Sequence, residues 1–196
     1  MAMIGMRHVV AAALNTHTDG SEPTYSTGFD VGGAISGNLT KNRNNNDLYY
    51  DDVLGESDNG LTSMSLELGL DDLLEDVQEK LGMLKKTTAG SPSVTTYYET
   101  TKESTLVGLG YIRVREKNNT ISYQAIWIYK IQFSADSENS RTKGESIEWQ
   151  TPTINGKAFS VDVDGSGDLA FRKIQVFSSE SAAETYLDTI AGITRT

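Results

Sequence analysis

The chain contains no cysteine, and its 196 residues hold only two histidines and three prolines. Without cysteine there is no disulfide, no thiolate zinc site and no cysteine nucleophile. His8 and His17 supply imidazole chemistry poorly, and neither has an evident partner in the sequence. Basic residues are scarce too: 17 Lys and Arg stand against 27 Asp and Glu, for a formal net charge of −10. That balance argues against a protein that grips phosphate backbones with clustered cations. It leaves room for one that keeps DNA at arm's length. No segment approaches the roughly 18 apolar residues of a membrane helix. The apolar run Val9-Val10-Ala11-Ala12-Ala13-Leu14 after Arg7 has six residues, short of a signal-peptide core, and is predicted as a strand. The expectation is a chain made and used from the cytoplasm, with no membrane association.

What is present suits one globular domain over residues 1–196, with 37% hydrophobic and 22% charged residues supplying both a core and a solvated surface. From Thr120 to Phe133 the residues Ile121, Tyr123, Ala125, Trp127, Tyr129, Ile131 and Phe133 fall on one face at period 2, opposite a mixed face. The β-rich run Leu106–Lys117 precedes it, and Asn118-Asn119 between them tolerates the positive φ of a two-residue hairpin turn. Downstream, Asn155-Gly156 reads as a second hairpin turn, between Ser146–Ile154 and Lys157–Val163. Asp164–Asp168 is a third turn, leading into Leu169–Phe177. Pro152 marks an edge or bulge. Upstream, Val31–Thr40 and Leu61–Leu70 look extended.

Two helices interrupt the strands. Asp71-Asp72 can cap a run that places Leu73, Leu74, Val77 and Leu81 on one face and ends at Gly82. Near the C-terminus, Ser181 with Glu184 reads as a capping box before Ala183, Tyr186, Leu187 and Ile190, with Gly192 as the stop. The predicted tail helix covers about 178–192. The fold class is therefore mainly β: an antiparallel β-sandwich or partial barrel flanked by one or two helices. Two polar stretches, 41–60 and 87–104, are predicted as extended loops, and long loops in a compact domain are usually functional.

Catalytic motifs fail on inspection. Ser140-Arg141-Thr142-Lys143 and Ser57-Asp58-Asn59 spell S-x-x-K and S-D-N in the wrong order, and K-T-G is missing. Asp162, Asp164 and Asp168 resemble part of a calcium loop, but Gly165 sits at the wrong position and the flanks are strands, so a turn is expected there. The acidic pairs Asp51-Asp52 and Asp71-Asp72 make poor dyads, because adjacent strand residues point to opposite faces. Gly108-Leu109-Gly110 lies inside a strand pattern and is no phosphate cradle. No cofactor, metal site or enzyme activity is expected.

Several collinear blocks carry a resemblance. Ala34-Ile35-Ser36-Gly37-Asn38-Leu39, then Leu48-Tyr49-Tyr50-Asp51-Asp52 with Glu56-Ser57, then Leu70-Asp71-Asp72-Leu73 resemble the first half of siphophage major tail proteins. Tyr123–Lys130, ending Trp127-Ile128-Tyr129-Lys130, and the block from Lys143 to Thr153 resemble later parts of the same family, in the same order. The resemblance spans most of residues 1–165. The Thr-rich segment Thr87–Ser104 and the tail Phe177–Thr196 lie outside it.

The resemblance implies a structural subunit of a non-contractile tail tube in the virion: six-membered rings stacked around a tape-measure protein, later a conduit for DNA that binds it without specificity. Tail terminator and baseplate or distal tail proteins would be further partners. Six chains would carry a formal charge of about −60, and carboxylates facing a bore would repel phosphates. Subunit contacts are expected in 41–60, at Asn44, Leu48, Tyr49, Tyr50, Asp51 and Asp52. The alternative is a monomeric β-sandwich that binds a glycan or protein through Tyr97, Tyr98 and Trp149.

Overall fold

The computed structural model describes residues 2–44, 46–50, 53–134 and 151–195. In chain order the elements are β1 (Ala2–Thr16), β2 (Thr24–Gly32), β3 (Ala34–Arg43), β4 (Asn46–Tyr50), β5 (Val53–Asp58), β6 (Leu61–Leu70), α1 (Glu75–Lys80), β7 (Leu84–Ala89) and β8 (Val94–Glu99). They continue with β9 (Val107–Lys117), β10 (Thr120–Ser134), β11 (Thr153–Ala158), β12 (Val161–Asp162), β13 (Leu169–Ala170), β14 (Arg172–Phe177) and α2 (Glu180–Ala191). The chain is mainly β, an antiparallel sheet flanked by two helices. The main sheet runs β2-β1-β9-β10-β11-β6-β3, with β14 added to β10.

The sheet curls because one long strand changes partner. Gly32 has φ +144°, and a Cβ on Gly33 would meet the Asp71 carboxylate at 2.6 Å, so the break between β2 and β3 needs glycine. Before it the strand pairs with β1; after it, with β6. The far edge thereby returns towards β1, where Gly37 leaves room for the Met6 thioether. The enclosed core contains Val9, Phe29, Leu66, Leu68, Leu109, Ile126, Ile128, Phe133 and Ile154, and α1 contributes Val77. A second core lies outside the curl, where α2 covers Val10, Ile112, Ala125, Trp127 and Tyr129 with Ala183, Leu187 and Ala191.

This double burial explains β10. Of its period-2 apolar face, Tyr123, Ala125, Trp127 and Tyr129 pack in the cluster under α2, whereas Ile121 is exposed. Past an irregularity between Ile128 and Ile131, Ile131 and Phe133 turn into the enclosed core. The face expected to be mixed is also buried from Gln124 to Ile128, with Ile126 and Ile128 in that core. Gly108 and Gly110 in β9 are the counterpart of Trp127: a Cβ at either would meet the indole ring at 2.5 and 2.7 Å. The Tyr25 ring meets Trp127 edge-on at 5.0 Å, and its hydroxyl donates to the Tyr129 carbonyl over 2.7 Å. The glycine pattern thus makes space for aromatic packing.

The β9–β10 hairpin turns at Asn118 and Asn119 with φ +50° and +63°, as expected of Asn in such a turn. Asn155-Gly156 corrects the second expected turn. Both residues lie inside β11, Asn155 opposite Ser134 and Glu67, Gly156 opposite Phe133 and Leu66. A Cβ on Gly156 would meet Ile131 at 2.6 Å and Phe133 at 2.8 Å, so the glycine serves close packing. Residues 146–150 of the strand expected before it lie outside the described residues. Pro152 stands just before β11, its carbonyl accepting from Leu70 N over 2.9 Å.

Both helix starts also differ from expectation. α1 begins at Glu75, after Leu73 and Leu74, and Leu74 is 57% exposed. Asp71 accepts instead from the backbone N–H of Gly33 and of Asp72, each at 2.8 Å, which fixes the β2–β3 break. At α2 the N-cap is Ser179, with no side-chain cap, so Ser181 and Glu184 form no capping box. Gly192 closes that helix at φ +72°, as its position implies.

The segments 41–60 and 87–104, expected as loops, are largely paired. The β3–β6 ladder ends at Arg43 and Leu61 and is followed by the β4–β5 ladder from Asn46 and Asp58. The Thr-rich stretch forms the β7–β8 hairpin. Alternating β-branched residues, Val94, Thr95 and Thr96 opposite Ala89, Thr88 and Thr87, favour extended pairing without a buried face.

Candidate assembly surfaces

The arm formed by β4 and β5 is the first surface. At its base Asn44 N donates to the Gly60 carbonyl over 2.9 Å, and the Arg43 guanidinium to the Asn59 carbonyl over 2.8 Å. Asn42 bridges Ser63 and Ser65 from β3 to β6 at 3.0 and 3.1 Å. Leu48, Tyr49 and Tyr50 lie in β4, opposite Glu56, Leu54 and Val53. Of the expected contact residues, Asn44 is therefore at the base and these three on one strand, while Asp51 and Asp52 lie outside the described residues. Among the described residues, β4 and β5 pair only with each other.

The second hairpin is tethered near the body by one carboxylate. Asp76 of α1 accepts from Lys86 Nζ at 2.6 Å and from the Tyr97 hydroxyl at 2.8 Å, and Lys86 lies 5.6 Å from the Tyr97 ring centroid. The bonds from Lys86 and Tyr97 hold the Asp76 carboxyl below its usual range. Tyr97 is thus committed to this tether, while Tyr98 is 52% exposed. Trp149 lies outside the described residues, so the expected aromatic trio is not brought together.

A third surface arises where β10 forks. Its lower half, Tyr123–Ile128, pairs with β14, and its upper half, Ile131–Ser134, pairs with β11. The face that lines the core continues onto β14 as Arg172, Ile174 and Val176, opposite Ile128, Ile126 and Gln124. There the core lining runs out: Ile174 is 43% and Val176 58% exposed. Beside them Arg113 donates to Gln124 Oε1 over 3.2 Å, and its Nε is buried without a partner. Burial pushes the Tyr111 hydroxyl pKa up, while the nearby Arg172 and Arg113 oppose the shift.

The C-terminal helix is fixed by charge, a feature not legible in the sequence. Asp188 Oδ1 lies 2.9 Å from His8 Nε2, and Asp188 Oδ2 accepts from Arg195 Nε over 2.6 Å. The same guanidinium reaches Asp30 Oδ1 at 2.6 Å. Burial opposes ionisation of Asp188, but the bonds from Arg195 and His8 outweigh it and hold the carboxyl below its usual range. An ionised carboxylate only accepts, so Nε2 of His8 carries the proton. His8 reaches Asp188 from a β1 bulge, at φ +52°. At the other end of the helix, Arg7 pairs with Glu180 at 2.7 Å.

A groove of about 490 Å³ crosses β3, β6, β11 and β10, lined by Asn38, Thr40, Glu67, Gln132, Asn155 and Lys157. Among its described lining residues the one aromatic, Phe133, is 1% exposed and so offers no stacking face to a sugar ring. In the Asp162–Asp168 turn two of the carboxylates accept from backbone: Asp162 from Gly165 N at 2.8 Å and Asp164 from Ser166 N at 3.0 Å. Among the described residues no group of three or more His, Cys, Asp or Glu is placed to hold a metal ion.

Neither a protein-family model nor a curated protein matches this chain. The architecture thus defines a class, a curled antiparallel β-domain with hairpin extensions. No helix among the described residues is long and apolar enough to cross a membrane.

Proposed function

We propose that the chain is a structural subunit of a non-contractile phage tail tube, made in the host cytoplasm and functioning in the virion. Copies would form six-membered rings that stack around a tape-measure protein and later conduct DNA. A tail terminator and a baseplate or distal tail protein would close the two ends of the tube. The observation that carries this reading is the β4–β5 arm. A two-stranded ribbon is marginal in isolation, so an arm that among the described residues pairs only with itself and bears Leu48-Tyr49-Tyr50 would gain stability from a neighbour. The same residues belong to a block that resembles the family. Among the described residues β14 pairs only with β10, and its other edge is a second place for a neighbour, because open strand edges template further pairing. A charge of −10 per chain suits a conduit that must not hold phosphate.

Sedimentation velocity and negative-stain microscopy over a wide concentration range test the reading. Rings or tubes are expected from the full chain. Replacement of residues 46–58 by a short Gly-Ser turn should leave a folded monomer. A full chain that stays monomeric at every concentration would overturn the proposal.

A further inference from the structure

The structure places opposite charge at two ends of the domain. At one end, Asp71, Asp72, Glu75 and Glu79 flank the exposed Leu74 in the chain, with Lys80, Lys85 and Lys86 following as the neighbouring cations. Asp76 of the same segment is already neutralised by Lys86, and Asp71 and Asp72 accept from the backbone N–H of Gly33 and of Leu73 while keeping their charge. Thr105 N donates to the Leu81 carbonyl over 3.1 Å, which sets the end of α1 at the start of β9, while Asp71 is held at the Gly33 N–H. The basic face lies further along the same strand. The six steps from Val107 to Arg113 span about 20 Å at about 3.3 Å each. There Arg113 and Arg172 flank the exposed Ile174 and Val176. Each end thus joins exposed aliphatic side chains to charge, and the signs are opposite.

We infer that the β14 face of one copy docks on the Asp71–Glu79 segment of another, in a head-to-tail contact. The inference rests on the tube reading and assigns the surfaces for one of its contacts. Such a contact uses two different patches, so it propagates instead of closing on itself as a dimer does. The aliphatic residues would supply the desolvated centre and the charges its register. Guanidiniums suit the task, since they are weakly hydrated and fit carboxylates in bidentate geometry.

Charge reversal tests this on the full chain. Arg172→Glu gives a copy acidic at both ends, and Glu75→Lys weakens the acidic end in the opposite sense. Each alone should associate at least tenfold more weakly than wild type in sedimentation velocity, and a 1:1 mixture should recover association. Val176→Glu, at an exposed position, should act like Arg172→Glu if the latter disturbs folding; circular dichroism checks both. Wild-type association that weakens with salt supports the contact. Association that is unchanged by all three variants overturns the inference and leaves the tube reading intact. A wild-type chain that never associates overturns both. A labelled DNA duplex provides the remaining arm: binding lost in Arg172→Glu, with self-association untouched, would assign the β14 face to nucleic acid and overturn the inference.

Discussion

Replacing Asp188 with alanine isolates the energetics of the C-terminal helix. The mutation removes three charge-assisted hydrogen bonds, one from His8 at 2.9 Å and two from Arg195 at 2.6 and 3.2 Å. Bonds of this type contribute about 1.5–3 kcal/mol each. The Asp188 side chain is 10% exposed and the Arg195 side chain 47%, so the arginine contribution is discounted for screening. The expected loss is about 2–4 kcal/mol, in line with breaking one side of a largely buried pair. At about 2 kcal/mol per molar urea this lowers the unfolding midpoint by about 1–2 M with an unchanged slope. Asp30→Ala is the control, since it removes a partner of the same guanidinium at 2.6 Å whose side chain is 61% exposed. Its cost should stay below about 1 kcal/mol. The sign with pH is fixed. The folded pKa of Asp188 lies below the ordinary carboxylate range of the unfolded chain, so its stabilisation is present above that range and is lost as pH falls through the folded pKa. Equal small effects for the two variants, or an Asp188→Ala penalty that grows as the solution is acidified, would refute this account.

Gly156→Ala should destabilise by about 1–3 kcal/mol through overpacking against Ile131 and Phe133, read by thermal denaturation; a neutral effect would reopen the turn assignment. Leu187→Ala, at a position with no exposed surface, should cost about 2–5 kcal/mol, and denaturant titration should show the loss with the fold retained. Tyr25 and Tyr129 are both pushed up by burial, Tyr129 to about 12. Their folded pKa values exceed the unfolded ones, so stability should fall as pH rises from about 10 towards 12; urea midpoints at stepped alkaline pH, with tyrosinate absorbance, provide the check. Asp76→Asn should raise amide hydrogen exchange in β7 and β8 while leaving the global melting temperature near wild type, because the tether it weakens is exposed.

Local residue types alone determined some elements. The Asn118-Asn119 turn, the long strand β10 and the Gly192 helix stop all follow from backbone preferences that need no tertiary partner. The mainly β class was legible for the same reason, from period-2 patterning in Thr120–Phe133 and Leu61–Leu70. Asn155-Gly156 was misleading because the same dipeptide serves a turn through φ and a strand through its missing side chain. Only the positions of Ile131 and Phe133 distinguish the two. Asp71 looked like a helix cap, but its oxygen bonds the Gly33 N–H, 38 residues earlier in the chain. The His8–Asp188 pair spans 180 residues, and no local spacing encodes it. Composition set the charge of the candidate surfaces and the absence of thiol chemistry. Their arrangement waited on the tertiary structure, because the fork at β10 and the bend at Gly32-Gly33 decide which apolar faces are covered and which stay open.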